Sequence, residues 1–513
     1  MSPTNPVIPG YYPDPSICRV GQDYYLVTST FEYFPGVPVF HSRDLANWRQ
    51  IGHCLTRPSQ LPLEGCRSSG GIFAPTIRYH NGTFYMVTTN VTGGGHFYVS
   101  AVDPAGEWSE PIWYDQGVRG IDPSLFFDDD GTVYFTSTGG PGMGIVQTTL
   151  DIATGQRLCE PRSIWNGTGG SSPEAPHLYK IGGTYYLMLA EGGTEYGHMV
   201  TIARSDNPWG PFESCPFNPI LSNRSTPRPI QATGHADLFQ AHDGSWWLVF
   251  LGIRPRGGYP SFHVLGRETF LAPVRWTEDG WPVAGEECRA GLEIELPWAE
   301  QPWPQPVLRE EFAGPTLPLY WNHLRNPRPA DYSLTARPGW MRLYGSAESV
   351  DDLASPAFIG RRQQDWFFHA ETLLEFDPAQ ENEEAGLTAL MNERHHYEVA
   401  VTRRGGERKV IVRRRIGSLS VVVAEAPLAA GPVRLSIRGN ESVYRLAYAM
   451  GDAPLQVLAQ GEARYLSKEV AGGFTGVYLG LYATGHGQPC TVPADFAWFD
   501  YQPEKGEPAP HWE

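Results

Sequence analysis

Hydrophobic positions in this chain rarely recur at the 3.6-residue spacing of an amphipathic helix. Short runs of aromatic and β-branched residues alternate with polar ones instead. Asn-Gly, Asp-Gly and Gly-Gly pairs separate them, which is the turn chemistry of β-hairpins. The pattern also repeats. A polar or small residue, usually followed by Pro, opens a strand; a tight turn follows, and an aromatic strand returns. The copies read DPSICRVGQDYYLVT from Asp14, APTIRYHNGTFYMVT from Ala74, DPSLFFDDDGTVYFT from Asp122, APHLYKIGGTYYLML from Ala175 and HADLFQAHDGSWWLV from His235. Their first residues lie 60, 48, 53 and 60 positions apart, so each interval holds one four-stranded antiparallel unit with its loops. One such unit cannot bury both its faces, whereas radial stacking buries them against each other. Unrelated hairpins in a sandwich would not share register and aromatic positions in all five copies. The expected fold is all-β: a five-bladed β-propeller over residues 1–284, followed by a β-sandwich domain.

The segment FLAPVRWTEDGWPV completes the last repeat, and ELPWAEQPWPQP reads as an ordered linker, residues 285–306, packed on the surface. From 307 to 513 the repeat is gone. Alternating strands such as WFFHAETLLEF, HHYEVAVTRR, KVIVRRRIG, PVRLSIRG and TGVYLGLYA predict the sandwich. The basic stretch RRGGERKVIVRRR lies in period-2 strands, and we expect it to form a solvated sheet face.

Composition narrows the classes. The 57 Gly and 46 Pro make about one residue in five, turn-rich but below the roughly 25–30% of low-complexity disorder. A net charge of −17 disfavours nucleic acid and anionic membrane, and no apolar run is long enough to span a bilayer. The first residues, MSPTNPVIPGYYPDPS, show no secretory pattern. The seven scattered cysteines form no C-x-x-C pair. We expect a reduced, cytoplasmic protein, with assembly into a homo-oligomer left open.

In a propeller the innermost strands start near the central axis, so the residues opening each repeat converge on one mouth. Asp14, Asp122 and Glu174 all fall there, beside His235. Asp-Pro pairs also cap turns, and either aspartate alone could serve only that end. Three acids at equivalent blade positions are harder to explain structurally, because like charges raise one another's pKa. Carboxylates so perturbed, among aromatics, suit glycoside hydrolysis, which pairs a protonated acid with an ionised carboxylate.

The stretches PDPSICRVGQDYYLVTSTFEYFPGVPVFHSRDL, GIFAP, IDPSLFFDDDG, PEAPHLYK, AEGGTEYGHMVTIARS, GHADLF and LGRETF resemble glycoside hydrolase family 43, above all its β-xylosidase and α-L-arabinofuranosidase members. The likeness covers essentially the whole chain, including a carboxy-terminal concanavalin-like sandwich. It implies exo-acting hydrolysis with inversion, releasing terminal β-D-xylose or α-L-arabinofuranose. It further implies Asp14 as the general base, Glu174 as the general acid and Asp122 as the residue that raises and orients that acid. The family motif at the acid usually reads E-G-P-H; here Ala175 replaces the glycine. Arg267 and His235 match substrate-contacting positions, and Phe31 and Phe73 match the wall of the terminal-sugar subsite. Phe474, in GGFTG, matches a lid from the sandwich.

No cofactor is required by this reading. In some relatives the residue matching His235 contacts a channel calcium through water, so calcium and a plain hydrogen-bonded histidine both stay open. Asp128, Asp129 and Asp130 with Gly131 fit a hairpin turn better than a calcium loop. The glycines from Gly167 to Gly170 read as a loop rather than a phosphate cradle. Two other classes remain, a retaining five-bladed glycosidase of the fructosidase type and a non-catalytic carbohydrate-binding propeller. Carboxyl separation distinguishes inversion, about 6.5–9.5 Å, from retention, about 5–5.5 Å.

Overall fold

A computed structural model describes residues 3–114, 120–140, 142–304 and 307–506. Five four-stranded antiparallel sheets come first, each built from strands that pair in chain order. Their innermost strands are Ser16–Val20, Thr76–His80, Ser124–Phe127, Glu174–Ile181 and Gln231–Gln240. Each innermost strand touches the next, and the fifth touches the first, so the sheets close into a five-bladed propeller. The last strand of the fifth sheet is Pro282–Ala284. Closure is reinforced by the amino-terminal segment. Asn5 exchanges side-chain hydrogen bonds with the backbone of Leu271, and Ile8 bridges Thr269.

Blade cores are sheet-on-sheet packings of the aromatic and β-branched positions read from the repeats. Ile77, Phe84, Met86, Phe97 and Val99 of the second blade pack with Val27 and Val39 of the first. Cys18 is buried in the same cluster, where desolvation raises its thiol far above the ordinary range. The Asp128–Gly131 stretch is a hairpin turn: the Asp128 amide donates to Thr132 O, and the carboxylate takes Lys180 and Tyr185.

The segment after the propeller packs on it. Trp298 donates to Asp44 O, and Trp303 lies under the Arg49 guanidinium. The following domain is a two-sheet sandwich around one core, including Leu387, Val399, Val410, Leu435, Leu481 and Phe496. Two strands of its six-stranded sheet, the edge strand Ala357–Arg362 and the inner strand Glu384–Asn392, are absent from the sequence reading. The basic strand is a correction to that reading. Glu407–Ile416 is not simply solvated: Val410 and Val412 enter the core, and half-buried Arg413 pairs with buried Glu384 at 2.6 Å and buried Glu398 at 2.5 Å.

The domains interlock. Tyr33–Phe34 of the first blade pairs with His323–Leu324 of the sandwich. Tyr33 stacks on Tyr478 with centroids 3.9 Å apart. This contact brings the six-stranded sheet of the sandwich over the propeller mouth.

Candidate active site

The first residues of the five repeats ring the axis, and the backbone there is unusual. Asp14, Asp122, Ala175 and His235 have φ of 56°, 56°, 52° and 47°, a left-handed conformation that costs a residue with a Cβ about 1–2 kcal/mol. In the fourth and fifth blades the ladder also shifts register here, between Glu174 and His177 and across Gly234. Such bulges re-aim side chains. The result turns the blade openings, which a regular strand would pair, into the mouth. Gly234 must be glycine, since a Cβ would come within 2.0 Å of the His198 ring.

One pocket of about 60 Å³ is lined by Asp14, Phe31, Phe73, Ala74, Ile121, Asp122, Glu174, Thr194, His235, Arg267 and Phe474. It unites all eight side chains expected at a site. At roughly 10–15 Å³ per water-sized occupant it holds about four to six waters, the space of a single sugar ring. Phe31, Phe73 and Phe474 form one apolar wall, with centroids 5.1 to 6.0 Å apart. Phe31 is buried; the other two rings are partly open to the pocket.

The three acids stand in different electrostatic settings. Asp14 is buried, accepts from Arg267 Nη1 at 2.7 Å and Ser29 Oγ at 2.5 Å, and has His235 Nδ1 at 3.5 Å. Burial pushes its pKa up, but Arg267, then His235 and the Ser29 hydroxyl, bring it below the ordinary carboxylate value. Asp122 accepts only the Ala175 amide, at 3.2 Å, and Glu174 receives no donor among the described residues. Burial, then the charges of Glu174 and Asp14, holds Asp122 up. Glu174 is raised to about 7 by enclosure and then by Asp14, against Arg267. The pocket thus holds an ionised carboxylate facing a pair that retains a proton near neutrality. Burial lowers the pKa of His235, so the ring is neutral.

Several contributors carry no signal in the repeats. Ser29 bonds the Asp14 carboxylate, and Thr194 Oγ1 accepts from Arg267 at 3.3 Å. Glu191 anchors the approach to Glu174. Its buried carboxylate takes the amides of Thr168 and Gly170 and the hydroxyl of Thr201, so the Gly167–Gly170 loop cradles an anion of its own chain. Ser29 and Glu191 meet partners 10 to 23 residues away across hairpins and loops, and Thr194 meets Arg267 73 residues away.

Among the described residues no three His, Cys, Asp or Glu side chains gather as a metal site. The groups near His235 that a channel calcium would meet include the Asp14 carboxylate, 3.5 Å from His235 Nδ1.

Residues 3–282 match the family described as Glycosyl hydrolases family 43, and 309–502 match Beta xylosidase C-terminal Concanavalin A-like domain. The chain is 48% identical to the non-reducing end alpha-L-arabinofuranosidase of Bacteroides ovatus, covering 97% of this chain and 94% of that protein. It is 39% identical to the xylosidase/arabinosidase of Butyrivibrio fibrisolvens, covering 96% and 98%. The solved xylan beta-1,4-xylosidase from Bacillus halodurans superposes with a TM-score of 0.92 at 35% identity, covering 97% and 99%.

Proposed function

The chain belongs to glycosyl hydrolases family 43, and from that premise we propose that it removes single terminal pentoses from xylan- or arabinan-derived oligosaccharides, with inversion. Asp14 takes a proton from water as its oxygen attacks the anomeric carbon. Glu174 gives its proton to the glycosidic oxygen as the bond to the leaving group breaks. Asp122 orients Glu174 and shares the pair's proton, the partner role that the family resemblance implies. Arg267 fixes Asp14 ionised and reaches sugar hydroxyls, while the three phenylalanines cover the ring and exclude water.

The observation that carries this reading is the split within one pocket, a carboxylate held down by Arg267 beside two held up by burial and by neighbouring carboxylates. The relatives named above act on xylosides and arabinosides, and a pocket of one-ring size suits a terminal pentose of either kind. A neutral oligosaccharide is also compatible with the net charge of −17. Every proton in this scheme is moved by a side chain, and a water-bridged calcium at His235 would take no step in it.

The test is hydrolysis of aryl β-D-xylopyranoside against aryl α-L-arabinofuranoside, with the first-formed anomer followed by NMR. Release of the opposite anomer from either substrate supports the proposal. Release of the same anomer overturns the inverting assignment, and normal pentose binding without turnover of either substrate would leave a binding propeller.

A further inference from the structure

Phe474 reaches the pocket from the other domain, so something must fix its place there. The segment carrying it is held at both ends. On one side, Glu469 receives the His263 amide at 3.0 Å and His263 Nδ1 at 2.8 Å, and Lys468 Nζ donates to Thr194 O at 2.8 Å. On the other, the Phe474 amide donates to Ser69 Oγ at 2.8 Å, while the Phe474 carbonyl faces Arg267 Nη2 at 3.5 Å. Ser69 belongs to the propeller loop between the first two blades. Its own amide donates to Glu32 Oε2 at 3.0 Å, and Glu32 directly follows the pocket residue Phe31. Ser69 is buried and sits at φ 57°, a strained conformation for a residue with a Cβ. Gly473 approaches so closely that a Cβ would stand 2.6 Å from Ser69 Oγ, and its own φ of 84° favours glycine. A strained serine and a glycine in a conformation that only glycine adopts freely therefore meet at one hydrogen bond to Phe474.

We propose that Ser69 is a positioning residue for sugar binding: its hydroxyl latches the sandwich lid by the Phe474 amide and so sets the aromatic wall of the terminal-sugar pocket. The hydroxyl touches no substrate and acts through Phe474. The latch also ties the two domains to one site, because Phe31, Glu32, Ser69, Phe474 and Arg267 form a continuous chain of contacts. It rests on the reading of the pocket as a pentose site.

The test is Ser69→Gly, which removes the hydroxyl and suits the left-handed backbone, so the fold should not suffer. Losing one hydrogen bond of ordinary strength predicts a rise of about three- to tenfold in KM for an aryl pentoside, with kcat little changed. In a Phe474→Ala background the same substitution should have no further effect on KM. Gly473→Ala should be less damaging beside Ser69→Gly than alone, since its methyl then finds the space the hydroxyl left. An unchanged KM in Ser69→Gly, or effects that simply add to Phe474→Ala, would overturn the latch. Amide hydrogen exchange separates this from the function assignment. Faster exchange at Phe474 in Ser69→Gly supports the latch even if no pentoside is cleaved, and unchanged exchange overturns it whatever the enzyme hydrolyses.

Discussion

Two layers of the propeller axis, two residues apart along each innermost strand, use the same side-chain types to opposite ends. In the upper layer stand Asp14, Asp122 and His235, with Glu174 beside Ala175. In the lower layer stand Ser16, Thr76, Ser124, His177 and Asp237, since alternate strand residues face the same way. Asp237 is saturated. It accepts from Arg78 Nη1 at 2.8 Å, Ser16 Oγ at 2.7 Å, Tyr179 OH at 2.7 Å and the Ile17 amide at 3.1 Å. Burial works against its charge, but Arg78 and then His177 hold its pKa far below the usual range. These contacts tie the first, second, fourth and fifth blades together at the axis. Asp122 and Glu174, a few ångströms of strand away in sequence terms, lack any cation of that kind. Burial alone does not make a carboxyl chemically active; burial with its hydrogen-bond capacity left open does.

The sharpest way to break this comparison is to neutralise acids in both layers. Asp14→Asn should cost about 10²- to 10⁴-fold in kcat/KM on any substrate, the usual worth of a general base. Glu174→Gln should cost as much with a poor leaving group and far less with an activated aryl glycoside, which departs without a proton. Equal losses on both substrates would remove Glu174 from the acid role. Asp237→Ala should do the reverse, leaving the chemistry of the folded fraction intact. Stranding the half-buried Arg78 charge and the Ser16 and Tyr179 hydroxyls should lower unfolding free energy by about 2–4 kcal/mol, read by denaturant titration. Loss of turnover without loss of stability would mean the lower layer is not structural.

A smaller effect follows from pH. Glu174, raised to about 7, is active while protonated, so kcat/KM should fall as pH rises through that value. Asp14 is active while ionised and is held below the ordinary value, so activity should persist into acid and fail only beneath it. Arg267→Gln removes the first of the charges that lower Asp14. Its carboxyl should then protonate at higher pH, moving the acid limb upward; the basic limb should move upward as well, because Arg267 also lowers Glu174. An acid limb that does not move would show that Arg267 leaves the charge of Asp14 alone.

The propeller was legible because each blade repeats its own turns and aromatic positions, which are local. The three acids were legible because they open repeats, and the eight side chains expected at the pocket do converge there. What the pattern could not show is set by partners distant in the chain. Thr194 is 73 residues from Arg267, and Ser69 is 405 from Phe474. Arg413 looked like surface because its partners, Glu384 and Glu398, lie on neighbouring strands 29 and 15 residues back. The Gly167–Gly170 loop wraps the Glu191 carboxylate, which has no motif to announce it.

The smallest predicted effect tests whether the upper layer's backbone is strained as described. Ala175 stands where the family motif has glycine, at φ 52°, and this turn points its amide at Asp122. Ala175→Gly should relieve about 1–2 kcal/mol of left-handed strain. It should also lose about 0.4–1 kcal/mol through the greater freedom of the unfolded chain. The net expectation is unchanged to slightly higher stability, with activity retained because the Asp122 contact is made by the backbone. Ala74 opens the second blade at the equivalent position without a positive φ. There the strain is absent and only the entropic loss remains, so Ala74→Gly should destabilise by about 0.5–1 kcal/mol. Calorimetric melting of the two variants side by side decides the matter. If both glycines destabilise equally, Ala175 is no more strained than Ala74, and the bulge that aims Glu174 owes nothing to the left-handed turn.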